Sequence, residues 1–347
     1  MNHVRPLVLI PICIAGSLAI GGCRGNGDDG PSVDPGTAMP NTDVAASSSV
    51  VLGNFTADAF NADVVTEDCT LGGGTSTTCY RLTIAGEPGG TALGPFCPES
   101  ITSTPEDGGL WFDGSGIVHD VDGDFIVDLP NIYDDPGWMM YDEATGLVNV
   151  TDGQEGCDIT GDPNVDPSFV NQCVECTLET LGGGVERTVL IPIEPVPADV
   201  PGEIGRSDVG VAPNGVLLGP PAPIELILSS YTLGVFDDCG GHVNPHEGYH
   251  YHGSTGCSET GIQEDGHASL LGYALDGYGI YGLLDTEGNE PTDLDECRGA
   301  TDDVRGYHYH TAAAGENMFI GCFRGETGRV EGGDGGGPPG DGPPPEG

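Results

Sequence analysis

"DDCGGHVNPHEGYHYH" (Asp237–His252) and "DECRGATDDVRGYHYH" (Asp295–His310) align without a gap. Asp, Cys, a Gly and the whole of GYHYH coincide, and in both copies the Cys stands ten positions before the first Tyr. Such agreement reads as an internal duplication with a 58-residue offset. Two copies make a pseudo-two-fold arrangement rather than a solenoid. Four of the chain's nine histidines lie in the two pentapeptides, so the duplication is also where side chains capable of chemistry concentrate.

The composition of GYHYH suits a strand. Successive side chains of a strand face opposite sides. His250 and His252 then share one face, and Tyr249 and Tyr251 the other. His308 and His310 repeat this with Tyr307 and Tyr309. Residues two apart on a strand lie roughly 6.6 Å apart, and neighbouring strands about 4.8 Å, gaps that imidazoles can bridge. The duplication predicts that the two GYHYH segments occupy neighbouring strands with His250, His252, His308 and His310 on a common face. His242 is the fifth candidate, because a tight Gly-Gly turn in "CGGH" brings it back toward the strand.

Clustered imidazoles are costly unless something organises them, and a divalent metal does so by binding the neutral rings. All-nitrogen sites suit Cu(II), Zn(II) or Ni(II). Three His with an open position would be catalytic for zinc, and four would close the site. His246 and His267 are further candidates, and a Tyr phenol or Asp276 could complete a shell. Against this stands a plain structural role, since His and Tyr alternate well in strands and a His readily bonds a carbonyl or carboxylate. Two H-x-H motifs in registered repeats favour metal, copper first and zinc second.

Other chemistries find little footing. There is no Gly-x-Ser-x-Gly, and Ser254, Ser258 and Ser269 lack triad spacing. The Gly-rich stretches are not followed by Lys-Ser/Thr, so they are not phosphate loops. The chain has no Lys at all, and its formal net charge is −46. That excludes the basic patches on which nucleic-acid binding depends, and it favours solubility and the attraction of cations. "HDVDGDFIVD" (His119–Asp128) looks at first like a calcium loop, but the Gly and Glu spacing of an EF-hand is missing and Asp-Gly reads as a hairpin turn.

The ends are distinct from the middle. Residues 1–22 carry one Arg and a short apolar run and read as a signal peptide, too short and Pro-broken to span a membrane. "AIGGC" before Cys23 resembles a bacterial lipobox, which implies cleavage and lipidation at Cys23. Residues 23–49 then read as a disordered tether and 326–347 as a Gly/Pro-rich disordered tail. The expected location is the cell envelope, with the Cys23 lipid as the only contact with membrane. Arg24 in place of Asp points to the outer membrane or cell surface.

Ten cysteines remain beyond Cys23, an even number that in an exported chain reads as disulfides. Cys239 with Cys257 and Cys297 with Cys322 are the local pairs expected. "CVEC" lacks a strand-to-helix context, so Cys173 and Cys176 read as a local structural pair. Short β-rich runs such as "TCYRLTIAG", "GDFIVDLP" and "RTVLIPI" recur between Gly, Pro, Asn and Asp clusters. They predict a mainly β, disulfide-stapled fold, sandwich- or barrel-like. Residues 50–200 form an N-terminal β region and 201–325 the duplicated domain. Ile224–Phe236 is open between a buried strand pair and a short helix.

The duplicated region resembles the YHYH domain family of bacterial exported proteins. The resemblance rests on "FDDCGGH", the two "GYHYH" copies, "HASLLGYALDGYGIYG", "LDECRG" and "IGCFRG", and covers Val209–Gly325. The family is a sequence pattern with no established activity, so it implies a domain without supplying its chemistry. Ala300 stands where the first copy has His242, so the site is not symmetric there. Three readings follow: a lipoprotein with a transition-metal-binding domain, a metal-dependent oxidase or hydrolase on the same site, or a disulfide-stapled structural or adhesive module without metal.

Overall fold

In a computed structural model the described residues are 48–332, apart from 89–92, 152, 158–159, 163 and 259–262. The stretch read as a signal peptide, Cys23, nearly all of the stretch read as a tether and the chain beyond 332 lie outside them. Among the described residues the fold is mainly β, spread over five sheets, none of them a closed barrel. Among the described residues no helix is long and apolar enough to cross a membrane.

The largest sheet has eight strands. In spatial order they are Gly241–Asn244, Gly248–Tyr251, Leu217–Leu218, Gly210–Val211, Leu270–Ala274, Gly279–Tyr281, Gly306–His310 and Gly299–Asp302. The pairing from either edge inward is antiparallel, parallel, antiparallel, with an antiparallel pair at the centre. This palindrome is the pseudo-two-fold read from the sequence, and it covers more chain than GYHYH alone. Val209–Pro220 ("VGVAPNGVLLGP") corresponds to Leu271–Gly282 ("LGYALDGYGIYG"). In both, a Gly with positive φ (Gly215, +79°; Gly277, +88°) turns the hairpin, and its N–H returns to the carbonyl of Ala212 or Ala274.

The axis passes between Val211 and Tyr273, which are equivalent positions and direct partners. The central strands approach closely on either side of it. A Cβ on Gly210 would meet the Tyr273 carbonyl oxygen at 2.2 Å, and one on Gly272 the Val211 oxygen at 2.4 Å. Both positions therefore need glycine. The expected adjacency of the GYHYH strands is corrected here. They are the second and seventh strands, and the two hairpins lie between them. The duplicated unit is thus a hairpin plus a GYHYH pair, and the hairpins meet at the axis. Short repeats with no visible hairpin partner gave no means of foreseeing this.

Conserved positions within the two copies have a common physical cause. Asp237 Oδ1 accepts from the backbone N–H of Cys239 and Gly241 at 3.0 and 3.1 Å. Asp295 Oδ1 accepts from Cys297 and Gly299 at 2.9 and 2.8 Å. Each Asp so closes a loop, and its carboxylate also takes the hydroxyl of Tyr249 or Tyr307. Cys239 bonds Cys257 and Cys297 bonds Cys322, stapling each loop to later chain.

The tyrosine face forms the main core. Tyr249, Tyr251 and Tyr309 are buried there, and Tyr307 packs against them. Opposite lie Leu82, Ile84, Val189 and Ile191 from a four-stranded antiparallel sheet of Val65–Thr70, Ser76–Ile84, Arg187–Pro192 and Arg329–Glu331. Two sheets sharing a core in this way give the sandwich-like layering. Each large apolar side chain so buried contributes on the order of 1.5–3 kcal/mol. The regions 50–200 and 201–325 share this core.

Several local expectations are corrected. "GDFIVDLP" is not a strand, and the Asp-Gly before it is not a hairpin turn. Asp122 caps a helix, Gly123–Ile132, by accepting from Phe125 N–H at 2.8 Å. Phe125, Ile126 and Leu129 then fall on one buried face, a helical spacing. Ile224–Phe236 holds both open alternatives, a helix at Ile224–Ser230 and a strand at Thr232–Gly234. The stretch read as tail from 326 includes a strand, Arg329–Glu331. Its Glu331 pairs with Arg81 at 3.3 Å and Val330 packs on the core, which composition alone does not reveal. Cys173 and Cys176 are not joined to each other. Cys173 bonds Cys97 and Cys176 bonds Cys157. Cys173 sits in the strand Gln172–Val174, and extended chain sends side chains three apart to opposite faces.

Candidate metal centres

The tyrosines take one face of the large sheet, so the histidines of both GYHYH strands take the other. His250, His252, His308 and His310 are all buried, at 1, 6, 2 and 2 % exposure. They do not form one cluster. Five strand spacings of about 4.8 Å put the GYHYH strands roughly 24 Å apart along the sheet. Each half instead completes its own triad, His242/His250/His252 and His267/His308/His310. Within each triad one ring nitrogen per residue lies within 4.8 Å of the others.

The third ring comes from a different place in each half. His242 lies on the edge strand directly opposite His250 in the ladder, and Ala300 takes that place opposite His308. His267 enters the second triad from the chain just before Leu270–Ala274, where the first half has Gly205. The third imidazole thus comes from the edge strand in one half and from the chain before a central strand in the other. His267 stood among the further candidates, but nothing in its local sequence marks it as the third member.

The hydrogen bonds decide the tautomers. In the second triad His267 Nδ1 bonds the Ala268 carbonyl at 3.1 Å, His308 Nδ1 that of Gly306 at 2.9 Å, and His310 Nδ1 that of Gly282 at 3.0 Å. A carbonyl only accepts, so each Nδ1 carries the proton. In a neutral ring the Nε2 is then a bare lone pair, and these face inward, with His267 Nε2 3.0 Å from His308 Nε2. Burial, first of all causes, pushes the three rings below the ordinary histidine range, His310 to about 4. They are neutral at pH 7, so three lone pairs converge with no proton between them.

The first triad is built alike. His250 Nδ1 bonds the Gly248 carbonyl at 3.2 Å, and His252 Nδ1 that of Pro220 at 2.8 Å. Pro220 and Gly282 are equivalent in the repeat, as are Gly248 and Gly306. His250 Nε2 and His252 Nε2 then face each other at 2.9 Å. Burial holds His242 and His252 well below the usual range, and their neighbouring rings add to it. Phe236 covers His242 and His252, its ring centre about 5 Å from theirs (5.1 and 5.0 Å).

The donor set fits a transition-metal ion. Two nitrogens on one tetrahedral ion with bonds of about 2.05 Å are about 3.3 Å apart. The 2.9 and 3.0 Å separations lie close to that. Backbone carbonyls fixing Nδ1–H are the outer-shell partners that metal-bound imidazoles use. Cys239 and Cys297 are in disulfides and supply no thiolate. Asp276 lies on the tyrosine face, where it takes the hydroxyl of Tyr309, and is no ligand of either triad. His246 is outside both triads but lines a cavity of about 730 Å³ onto which His242, His250 and His252 open, together with Glu247 and Phe236.

No curated protein and no solved structure matches the chain. Residues 188–292 match the family model described as YHYH protein. The match takes in the first GYHYH and His267 and ends before the second GYHYH, which the symmetry of the sheet adds to the same unit. That stretch carries the YHYH domain.

Proposed function

We propose that this chain is an exported, lipid-anchored envelope protein whose duplicated sheet binds two transition-metal ions, copper first and zinc second. One observation carries the reading: in each half three imidazoles, two buried and one half-buried, bring one ring nitrogen apiece within 4.8 Å of one another, and five of the six rings hold Nδ1 against a backbone carbonyl. A metal ion bound by the three nitrogens relieves the repulsion between their lone pairs. All-imidazole donors at this spacing favour Cu and Zn over Mg or Ca, which take oxygen. The lipid anchor rests on "AIGGC" at Cys23, and the absence of Lys with the net charge of −46 argues against nucleic acid as a partner.

The test is elemental analysis of untagged chain made in exported form, before and after chelation and refilling with copper or zinc. Two ions per chain are expected, and a His250→Ala/His308→Ala variant, which removes one ring from each triad, should hold far less. A wild-type chain that carries no metal and takes up neither copper nor zinc ends the metal reading and leaves a disulfide-stapled structural module. A second reading, a metal-dependent oxidase or hydrolase, is favoured at the first triad only, because that triad opens onto the cavity.

A further inference from the structure

The two halves differ next to their triads. Resting on the metal reading, we propose that Glu247 is a fourth ligand of the His242/His250/His252 centre. The first half then offers a divalent ion three nitrogens and a carboxylate, while the second offers imidazole alone.

Glu247 Oε2 lies 3.2 Å from His250 Nε2, the atom that points inward. With Nδ1–H of His250 committed to Gly248, a neutral ring presents a lone pair to the carboxylate. Either a proton on Nε2 or a metal ion shared by both atoms satisfies that approach, and the metal reading takes the second. The carboxylate is also held in place. Asn244 Nδ2 donates to Glu247 Oε2 at 2.9 Å, and Asn244 Oδ1 accepts the backbone N–H of Glu247 at 2.8 Å. Glu247 ends the turn between the strands of His242 and His250, so its backbone is set by the hairpin that sets the ligands. It also lines the cavity, so a ligated carboxylate would stand between the ion and the open side.

The repeat sharpens the contrast. Arg305 occupies the position equivalent to Glu247. Its guanidinium pairs with Asp302 at 2.6 Å and Asp265 at 2.5 Å and lies over the Tyr281 ring. A cation thus replaces the carboxylate beside the second triad. Carboxylate oxygen suits a borderline-hard divalent ion, whereas three imidazoles alone favour copper more strongly.

Two single-centre chains test this. His308→Ala/His310→Ala leaves the first centre, and His250→Ala/His252→Ala the second. Each is titrated with Cu(II) against a competing chelator and followed by electron paramagnetic resonance. Adding Glu247→Gln to the first-centre chain should weaken its single ion by about tenfold or more and shift the spectrum toward all-nitrogen ligation. The same change in the second-centre chain should alter neither. An unchanged affinity and spectrum in the first-centre chain overturns the ligand role while leaving the metal reading intact. If no chain, wild type included, binds an ion, the metal reading falls and this proposal with it. Should the His variants fail to fold, Glu247→Gln alone decides: one of two equivalents weakens if the proposal holds, and neither does if it is wrong.

Discussion

Replacing Asp276 with Asn should make the protein's stability less sensitive to pH. Asp276 is fully buried and accepts from the Tyr309 hydroxyl at 2.5 Å and Gly325 N–H at 2.9 Å. Burial outweighs those bonds and pushes its carboxyl up from 3.8 to about 6. The folded state therefore keeps a proton that the unfolded chain gives up above pH 3.8. The stability from that proton is fully present below pH 3.8 and is lost as pH rises through about 6. At 1.36 kcal/mol per unit the loss is about 3 kcal/mol. The pseudo-two-fold supplies the substitute: the equivalent residue is Asn214, whose amide meets the Tyr251 hydroxyl at 2.9 Å. Asn does not titrate. Denaturant unfolding of metal-free, disulfide-intact wild type and Asp276→Asn from about pH 4 to pH 8 measures the difference. It should move by about 2.5 kcal/mol in favour of Asn across that range, because part of the loss already lies below pH 4. Subtraction removes the other titrating groups, Asp208 and the histidines included. A difference that stays constant with pH refutes a buried, proton-retaining Asp276.

Two further outcomes follow from the same reasoning. Metal affinity of the His267/His308/His310 triad should hold from pH 8 to about 6.5, since burial lowers the range in which these rings take up a proton, and fall only as pH drops toward that range, near 4 for His310; competition titrations on a chain carrying that triad alone that show affinity falling already at pH 7 would contradict the burial argument. Palmitate labelling of the exported protein should be lost in Cys23→Ala, and label that survives the change would place the anchor elsewhere or nowhere.

The sequence was legible wherever a pattern is local or repeated. The duplication around GYHYH, the sharing of one face by His250 and His252, and the mainly β class all follow from the period of two and from turn residues at short spacing. Asp237 and Asp295 were visible as matched positions, though not as loop-closing acceptors. Where a local signal had two physical readings, composition chose wrongly at Asp122, because Asp before Gly serves a helix cap as well as a hairpin. Which histidines meet was not local at all. His267 lies 41 residues from His308, and only the parallel pairing of Gly279–Tyr281 with Gly306–His310 brings them together. The separation of the four GYHYH histidines into two centres was settled by the glycines at the axis. Gly210 and Gly272 let the hairpins meet in the middle of the sheet, and that places the GYHYH strands apart. Tautomers, burial and the cavity beside the first triad likewise depend on chain distant in sequence: Pro220 and Gly282 supply carbonyls, and Phe236 covers the rings. Residue types thus determined the kind of chemistry available, while non-local strand pairing decided how many His triads there are and which residues form each one.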